Sequence, residues 1–166
     1  DGDADSDSDS DDDTDVVEPE GCIVGDFGIV FPGDVDFLAP YSCIEGDLAI
    51  QYTTFAEFDL PNLEMVFGEL RIRENEAFVD LAGLASLHTV TGKITIENNP
   101  SLIDLFGLGG LTVLYGGMLI ADNPALSSLF GLENVCCAAA IEIANNPSLE
   151  ALTGLEGLEF TDNSLD

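Results

Sequence analysis

Short stretches of alternating apolar residues recur along the chain at intervals of 22 to 24 residues. Each stretch carries two apolar residues separated by one position: Leu48 and Ile50, Leu70 and Ile72, Ile94 and Ile96, Met118 and Ile120, Ile141 and Ile143. A period of two is typical of a β-strand that buries one face. One strand per repeat cannot form a core alone, so we expect the repeats to stack as parallel strands about 4.8 Å apart.

Further hydrophobic positions repeat in step with these strands. They form three sets: Phe55, Phe78, Leu102, Leu126 and Leu149; Phe58, Leu81, Leu105, Leu129 and Leu152; Leu60, Leu84, Leu108, Leu132 and Leu155. Shorter copies of the repeat begin at Cys22 and Cys43, which makes about six turns of 21–24 residues. Repeats of this length, without a helix-length amphipathic stretch, predict an all-β solenoid in which one chain winds as a single-stranded parallel β-helix.

An asparagine recurs at one corner of the predicted turns. The set is Asn75, Asn99, Asn123 and Asn146. Stacked asparagine side chains can hydrogen-bond along the solenoid axis and satisfy the backbone groups of the corner. We therefore interpret this column as a structural ladder and not as a ligand site.

The chain is strongly acidic, with 33 Asp and Glu residues, 3 Lys and Arg residues and a net charge of -30. Such a surface repels nucleic acid and anionic membranes, and it favours divalent cations or basic partners. The sequence lacks the apolar run of about 20 residues that a membrane span needs. Composition divides the chain into an acidic tail at residues 1–20 and a solenoid at residues 21–166. We expect a secreted chain with a processed N terminus, because Asp1 is its first residue.

The tail contains a comb of carboxylates that we predict to bind Ca²⁺. Its candidate ligands are Asp1, Asp3, Asp5, Asp7, Asp9, Asp11, Asp13, Asp15 and Glu20. In an extended chain, alternate residues point the same way about 7 Å apart, and hard oxygen ligands suit Ca²⁺. Residues 9–20 partly resemble an EF-hand loop, but Thr14 stands where the sharp turn needs glycine. A disordered linker and a contact with a neighbouring subunit are the alternatives.

The cysteine pattern indicates disulfide chemistry and not a zinc site, because CxxC spacing is absent and His88 is the only histidine. Cys22 and Cys43 lie at the same point of consecutive turns, so stacking brings them within bridging range. We expect Cys136 to occupy that column again. With Cys137 it could form a vicinal disulfide, stay reduced, or bond another chain.

Catalysis has little support in the sequence. A nucleophile needs a base held against it, and we expect the single histidine, His88, to point outward from the solenoid. We therefore predict that the protein is not an enzyme.

The outward positions of the predicted strands suggest a contact face. Its candidate residues are the three basic residues Arg71, Arg73 and Lys93 and an apolar patch at Leu119, Ala121 and Ala144. We expect two cross-strand ion pairs on this face, Glu69–Lys93 and Arg73–Glu97. An ordinary solvent face stabilised by these pairs is the alternative.

The chain resembles the receptor L domain over residues 21–160. The matching segments are Cys-x-x-Gly-x-Leu-x-Ile at Cys43 and Asn-Asn-Pro-Ser-Leu at 98–102 and 145–149, and leucine-rich repeats share the core seen at Ile94, Ile96 and Asn99. Receptor L domains are the ligand-binding solenoids of epidermal growth factor and insulin receptors, and also occur in fungal and bacterial surface proteins. The resemblance implies a right-handed β-helix, a non-enzymatic extracellular role and a first disulfide between Cys22 and Cys43.

Two functions compete at this point. In the first, the protein is an extracellular structural or assembly module whose turns stack end to end in a homo-oligomer or filament, because exposed solenoid ends carry unpaired backbone groups. In the second, it is a receptor-like ligand-binding or adhesion module, with a protein or glycan partner, tethered by a disordered acidic tail.

Calcium-dependent assembly predicts that a chelator dissociates the particles. Excess EDTA should reduce the particle size measured by light scattering or imaging, because it removes the ions that neutralise the tail carboxylates. Oligomers that persist unchanged in excess chelator would contradict calcium-mediated assembly.

Overall fold

The computed structural model describes residues 21–160, in which thirteen short strands form two parallel sheets. The seven-stranded sheet contains β1 (Cys22–Val24), β3 (Cys43–Glu45), β5 (Met65–Val66), β7 (Thr89–Val90), β9 (Val113–Leu114), β11 (Cys137–Ala138) and β13 (Glu159–Phe160). The six-stranded sheet contains β2 (Phe27–Ile29), β4 (Leu48–Gln51), β6 (Leu70–Arg73), β8 (Ile94–Glu97), β10 (Met118–Ala121) and β12 (Ile141–Ala144). Each turn gives one strand to each sheet and then returns along an irregular third side.

The prediction of an all-β parallel solenoid is confirmed. Leu48, Leu70 and Ile94 lie side by side on β4, β6 and β8, so the repeat seen in the sequence is the strand register. The seven-stranded sheet was not predicted as a sheet. Most of its strands are two residues long, which is too short for a period of two to be recognised.

The first turn contains a helix, α1 (Pro32–Leu38), where we expected none. Pro32 begins it, and the Asp34 carboxylate accepts hydrogen bonds from the backbone N–H groups of Phe31 and Val30 at 2.8 and 2.9 Å. These bonds lower the pKa of Asp34. Val35 and Leu38, three positions apart, are buried, so this single apolar side was enough to seat a seven-residue helix at the N-terminal end.

The hydrophobic sets predicted from the sequence form the core. Leu81, Leu105 and Leu129 are fully buried, and so are the central members of the other two sets. Burial weakens at the C-terminal end, where Leu152 is 60% exposed. A fourth column that we did not predict, at Leu63, Leu87, Leu111 and Val135, closes the core beside the seven-stranded sheet.

The four asparagines lie in one ladder at the corner after the six-stranded sheet. The side-chain oxygen of Asn99 accepts hydrogen bonds from the backbone and side-chain nitrogens of Asn75, at 3.2 and 3.0 Å. The side-chain nitrogen of Asn99 donates to the Ile72 carbonyl of the neighbouring turn at 3.0 Å. Asn123 and Asn146 repeat this pattern, and Thr53 donates to Asn75 at the other end. The ladder therefore pairs buried backbone groups of each turn with the next.

The residue before each ladder position has a positive φ. These residues are Tyr52, Glu74, Asn98, Asp122 and Asn145, with φ between 55° and 58°. The left-handed conformation breaks the alternation of the strand and turns the following side chain into the core. Asparagine and aspartate tolerate this region better than other residues with a side chain, and they occupy three of the five corners.

Asn99→Ala should destabilise the protein by about 3 kcal/mol, because it leaves buried donors of Asn75 and the Ile72 carbonyl without partners. Urea unfolding followed by circular dichroism measures the change. Asn146→Ala is the control at the partly exposed end of the ladder, where water can replace the side chain, and should cost about 1 kcal/mol. Equal losses at the two positions would contradict a load carried by buried backbone groups.

Candidate binding face

The predicted disulfide between Cys22 and Cys43 is present and joins β1 to β3. The two residues are direct neighbours in the seven-stranded sheet, with their Cα atoms 4.4 Å apart. The bond therefore fastens the first turn to the second beside α1.

Cys137, and not Cys136, occupies the column of Cys22 and Cys43. Cys137 pairs with Val113 on β9, and that column leads strand by strand to Cys43. Our prediction for Cys136 was wrong because the corner after β11 is one residue shorter than the others, as Ile141 follows Cys137 after four positions and Met118 follows Val113 after five. The sulfur atoms of Cys136 and Cys137 are 3.1 Å apart, so the structure holds two thiols and no vicinal disulfide.

The outer surface of the six-stranded sheet is a network of polar contacts. One nitrogen of Arg71 binds Asp47 on the neighbouring turn at 2.9 Å and also contacts Glu69. Partial burial lowers the pKa of Arg71, but the hydrogen bonds to Glu69 and Asp47 outweigh this effect and raise it overall. The guanidinium is therefore already neutralised within the sheet.

The two ion pairs predicted on this surface are absent from the described residues. Arg73 and Glu97 are cross-strand neighbours, as expected, but Arg73 turns the other way and donates to Gln51 at 2.9 Å. Glu69 contacts Arg71 and not Lys93, whose side chain is exposed. Strand register alone does not decide which way a long side chain turns.

The apolar patch predicted on the same surface offers little contact area. Ala121 is only 7% exposed, and Leu119 and Ala144 are half-buried. Ala121 is therefore wrong as a contact residue, because its short side chain lies below its neighbours on the sheet. The candidate residues Arg71, Arg73, Lys93, Leu119 and Ala144 do share one surface, but most of their polar groups serve the sheet itself.

A different surface, the outer side of the seven-stranded sheet from β5 to β11, carries no Asp, Glu, Lys or Arg. We call it the uncharged face, and its outward residues are Met65, Phe67, Thr89, Thr91, Val113, Tyr115, Cys137 and Ala139. Between them Val66, Val90, Leu114 and Ala138 point inward and are buried. Phe67 is 47% exposed and Tyr115 is 63% exposed, so two aromatic rings stand on a flat sheet.

Glycines keep one margin of the uncharged face low. Gly68, Gly92 and Gly116 stack at the corner between the two sheets, and a Cβ atom on Gly92 would lie 2.5 Å from the Gly68 carbonyl oxygen. Such a contact is too short for any side chain, so successive turns approach closely here. At the opposite margin, His88 lies 3.7 Å from Glu64, and both side chains are exposed.

Sequence reasoning missed the uncharged face, although its signal is present. The segments Met-Val-Phe-Gly at 65–68 and Thr-Val-Thr-Gly at 89–92 place a buried valine between two outward residues and end on the corner glycine. The tripeptide before each glycine is too short to read as a strand alone, but its recurrence every 24 residues identifies it.

The remaining candidates from the sequence lie elsewhere. The tail carboxylates, Asp1 to Glu20, lie outside the described residues, so calcium binding stays a prediction. Within residues 21–160, no three His, Cys, Asp or Glu side chains are grouped to hold a metal ion. His88 points outward as expected, and its ring contacts the Thr89 hydroxyl at 3.2 Å. No helix in the described part of the chain is long and apolar enough to cross a membrane.

Comparison with known proteins gives a family but no individual relative. No curated protein and no solved structure matches the chain. The family model described as Receptor L domain matches residues 42–134, more than half of the chain, and this segment contains β3 to β10. Domains of this family are non-catalytic, ligand-binding and typically extracellular. The chain therefore belongs to the receptor L domain family.

Proposed function

We propose that this chain is a non-catalytic, extracellular binding module and that a protein ligand docks on its uncharged face. The observation that supports the proposal most directly is the lack of charged residues across four strands of a chain with a net charge of -30. Acidic residues lie throughout the rest of the surface, so the exception has a location that a ligand can recognise.

The composition of the uncharged face fits a protein interface. The cores of such interfaces are depleted in Lys, Glu and Asp and enriched in Tyr, Phe and Met. Met65, Phe67 and Tyr115 match this preference, and the two aromatic residues are already substantially exposed. Four strands spaced by about 4.8 Å give a width of about 14 Å, enough for a central contact but not for a complete interface.

The acidic surroundings restrict the ligand's charge. Glu45 borders the uncharged face on β3, and Glu64 borders it beside β5. Together with the net charge of -30, these carboxylates would repel an acidic protein and increase the association rate of a basic one. The ligand that fits best is a protein with an apolar contact surface surrounded by basic residues.

The double variant Phe67→Asp/Tyr115→Asp should weaken ligand binding by at least about tenfold, because it places charge in the centre of the contact. Biotinylated chain is incubated with surface and secreted proteins of its source, and bound proteins are quantified by mass spectrometry. We expect one or more basic proteins to bind the unchanged chain and to be lost with the variant.

The matched control is Phe106→Asp/Phe130→Asp, which adds the same charge to two aromatic residues of similar exposure on the irregular side. Thermal unfolding checks that both variants are folded. A bound protein that both variants lose equally, or that neither loses, would contradict the assignment to the uncharged face.

End-to-end assembly is the second candidate, and the C-terminal end of the described solenoid supports it. Ile141, Leu155 and Leu158 are half-buried there, Leu152 is 60% exposed, and they line an open cleft of about 330 Å³. Among the described residues, β12 pairs on one side only, with β10. The opposite end already has α1 packed against it, so stacking would join two unlike ends. Binding of Ca²⁺ by the acidic tail remains part of this second proposal.

Assembly predicts that Leu152→Glu converts oligomers into monomers, because a carboxylate would be buried between stacked ends. Sedimentation velocity over a range of concentrations, with Ca²⁺ or with EDTA, measures the state of each chain. Glu150→Ala, at an exposed position of the same loop, is the control. A wild-type chain that stays monomeric at every concentration in both buffers would rule this candidate out.

A further inference from the structure

Two adjacent thiols lie on the outside of the solenoid at the start of β11. The sulfur atoms of Cys136 and Cys137 are 3.1 Å apart, and the Cys136 side chain is exposed. We infer that these residues form a redox couple, which an exogenous disulfide converts to a vicinal disulfide. The inference rests on this geometry alone and does not depend on the proposed role of the uncharged face.

The local backbone explains why the two sulfur atoms meet. Successive side chains of a regular strand point to opposite faces, which would separate adjacent thiols. Cys136 precedes β11 and is exposed, Cys137 lies on the outer side of the sheet, and Ala138 is the first buried residue. Alternation therefore begins only at Cys137, and both thiols remain on the outside.

The neighbouring turn holds Cys136 in this position. The Thr112 carbonyl accepts a hydrogen bond from the backbone N–H of Cys136 at 3.0 Å and one from its thiol at 3.4 Å. These contacts direct Cys136 along the solenoid axis beside Cys137, which pairs with Val113. The arrangement orders the pair before any reaction takes place.

The reaction needs two thiol–disulfide exchanges. The thiolate of Cys136, the more exposed residue, attacks one sulfur of glutathione disulfide. A mixed disulfide forms, and one glutathione leaves as a thiolate that takes up a proton. The thiolate of Cys137 then attacks the Cys136 sulfur and expels the second glutathione. The protein loses two protons and two electrons, and one glutathione disulfide becomes two molecules of glutathione.

The vicinal disulfide should be easier to reduce than the bond between Cys22 and Cys43. The Cα atoms of adjacent residues are about 3.8 Å apart across a trans peptide, below the usual range for disulfides, which makes such a bond strained and reducible. The Cα atoms of Cys22 and Cys43 are 4.4 Å apart, which lies within that range. Mild reductant should therefore separate the two disulfides in the same chain.

The test uses the full chain after brief treatment with limiting dithiothreitol, which sets the starting state to one disulfide, Cys22–Cys43. Excess glutathione disulfide is added, the reaction is quenched with acid, and intact mass and peptide mapping are recorded. We expect the mass to fall by that of two hydrogen atoms, with the new bond mapped to Cys136 and Cys137 and with no lasting glutathione adduct. Cys136→Ser and Cys137→Ser should each carry one stable glutathione.

Three outcomes would overturn the inference. The first is a wild-type chain that keeps one or two glutathiones. The second is a dimer linked through either cysteine. The third is a pair that does not react although both single variants do. Circular dichroism of each variant establishes that it is folded, and a second pair of variants, Cys136→Ala and Cys137→Ala, keeps the test valid if a serine variant fails to fold.

Discussion

The solenoid depends on how the backbone groups at one buried corner find hydrogen-bond partners. Parallel sheets satisfy the strands, but the chain must leave the six-stranded sheet and turn across the core, where no water can replace a missing partner. The asparagine ladder solves this locally, since each side chain accepts from one neighbouring turn and donates to a carbonyl of that turn. No buried side-chain nitrogen or oxygen among residues 21–160 is left without a partner. The positive φ before each ladder residue follows from the same requirement.

How far the fold could be predicted depends on the length of each pattern. The strands of the six-stranded sheet and the ladder could be identified because a four-residue motif recurs at a fixed interval. The two-residue strands of the other sheet could not be identified individually, and α1 carries one buried side that seven residues barely display. Interactions that depend on rotamers were beyond reach, since Arg73 has acceptors on both neighbouring strands and nothing in the sequence ranks Gln51 above Glu97.

The candidate site was harder to predict than the fold for the same reason. Sequence reasoning selected the surface with basic residues, because rare charges attract attention in an acidic chain. The structure gives those charges partners within the sheet, as Arg71 shows. The more informative feature was an absence of charge that is spread over four distant segments and becomes one surface only when the turns are stacked. Such a surface is a property of the register and not of any one motif.

The stacked glycine corner and the ladder also restrict how this protein can change in length. Every turn presents the same joints to its neighbours, so a duplicated or deleted segment of one whole period, such as the 24 residues from Gly92 to Gly116, would rejoin matching surfaces. A change by any other number of residues within a strand would shift its register and turn core side chains outward. Loops on the irregular side do not share this restriction. The length of the sheets and the content of the loops are therefore free to vary independently during evolution.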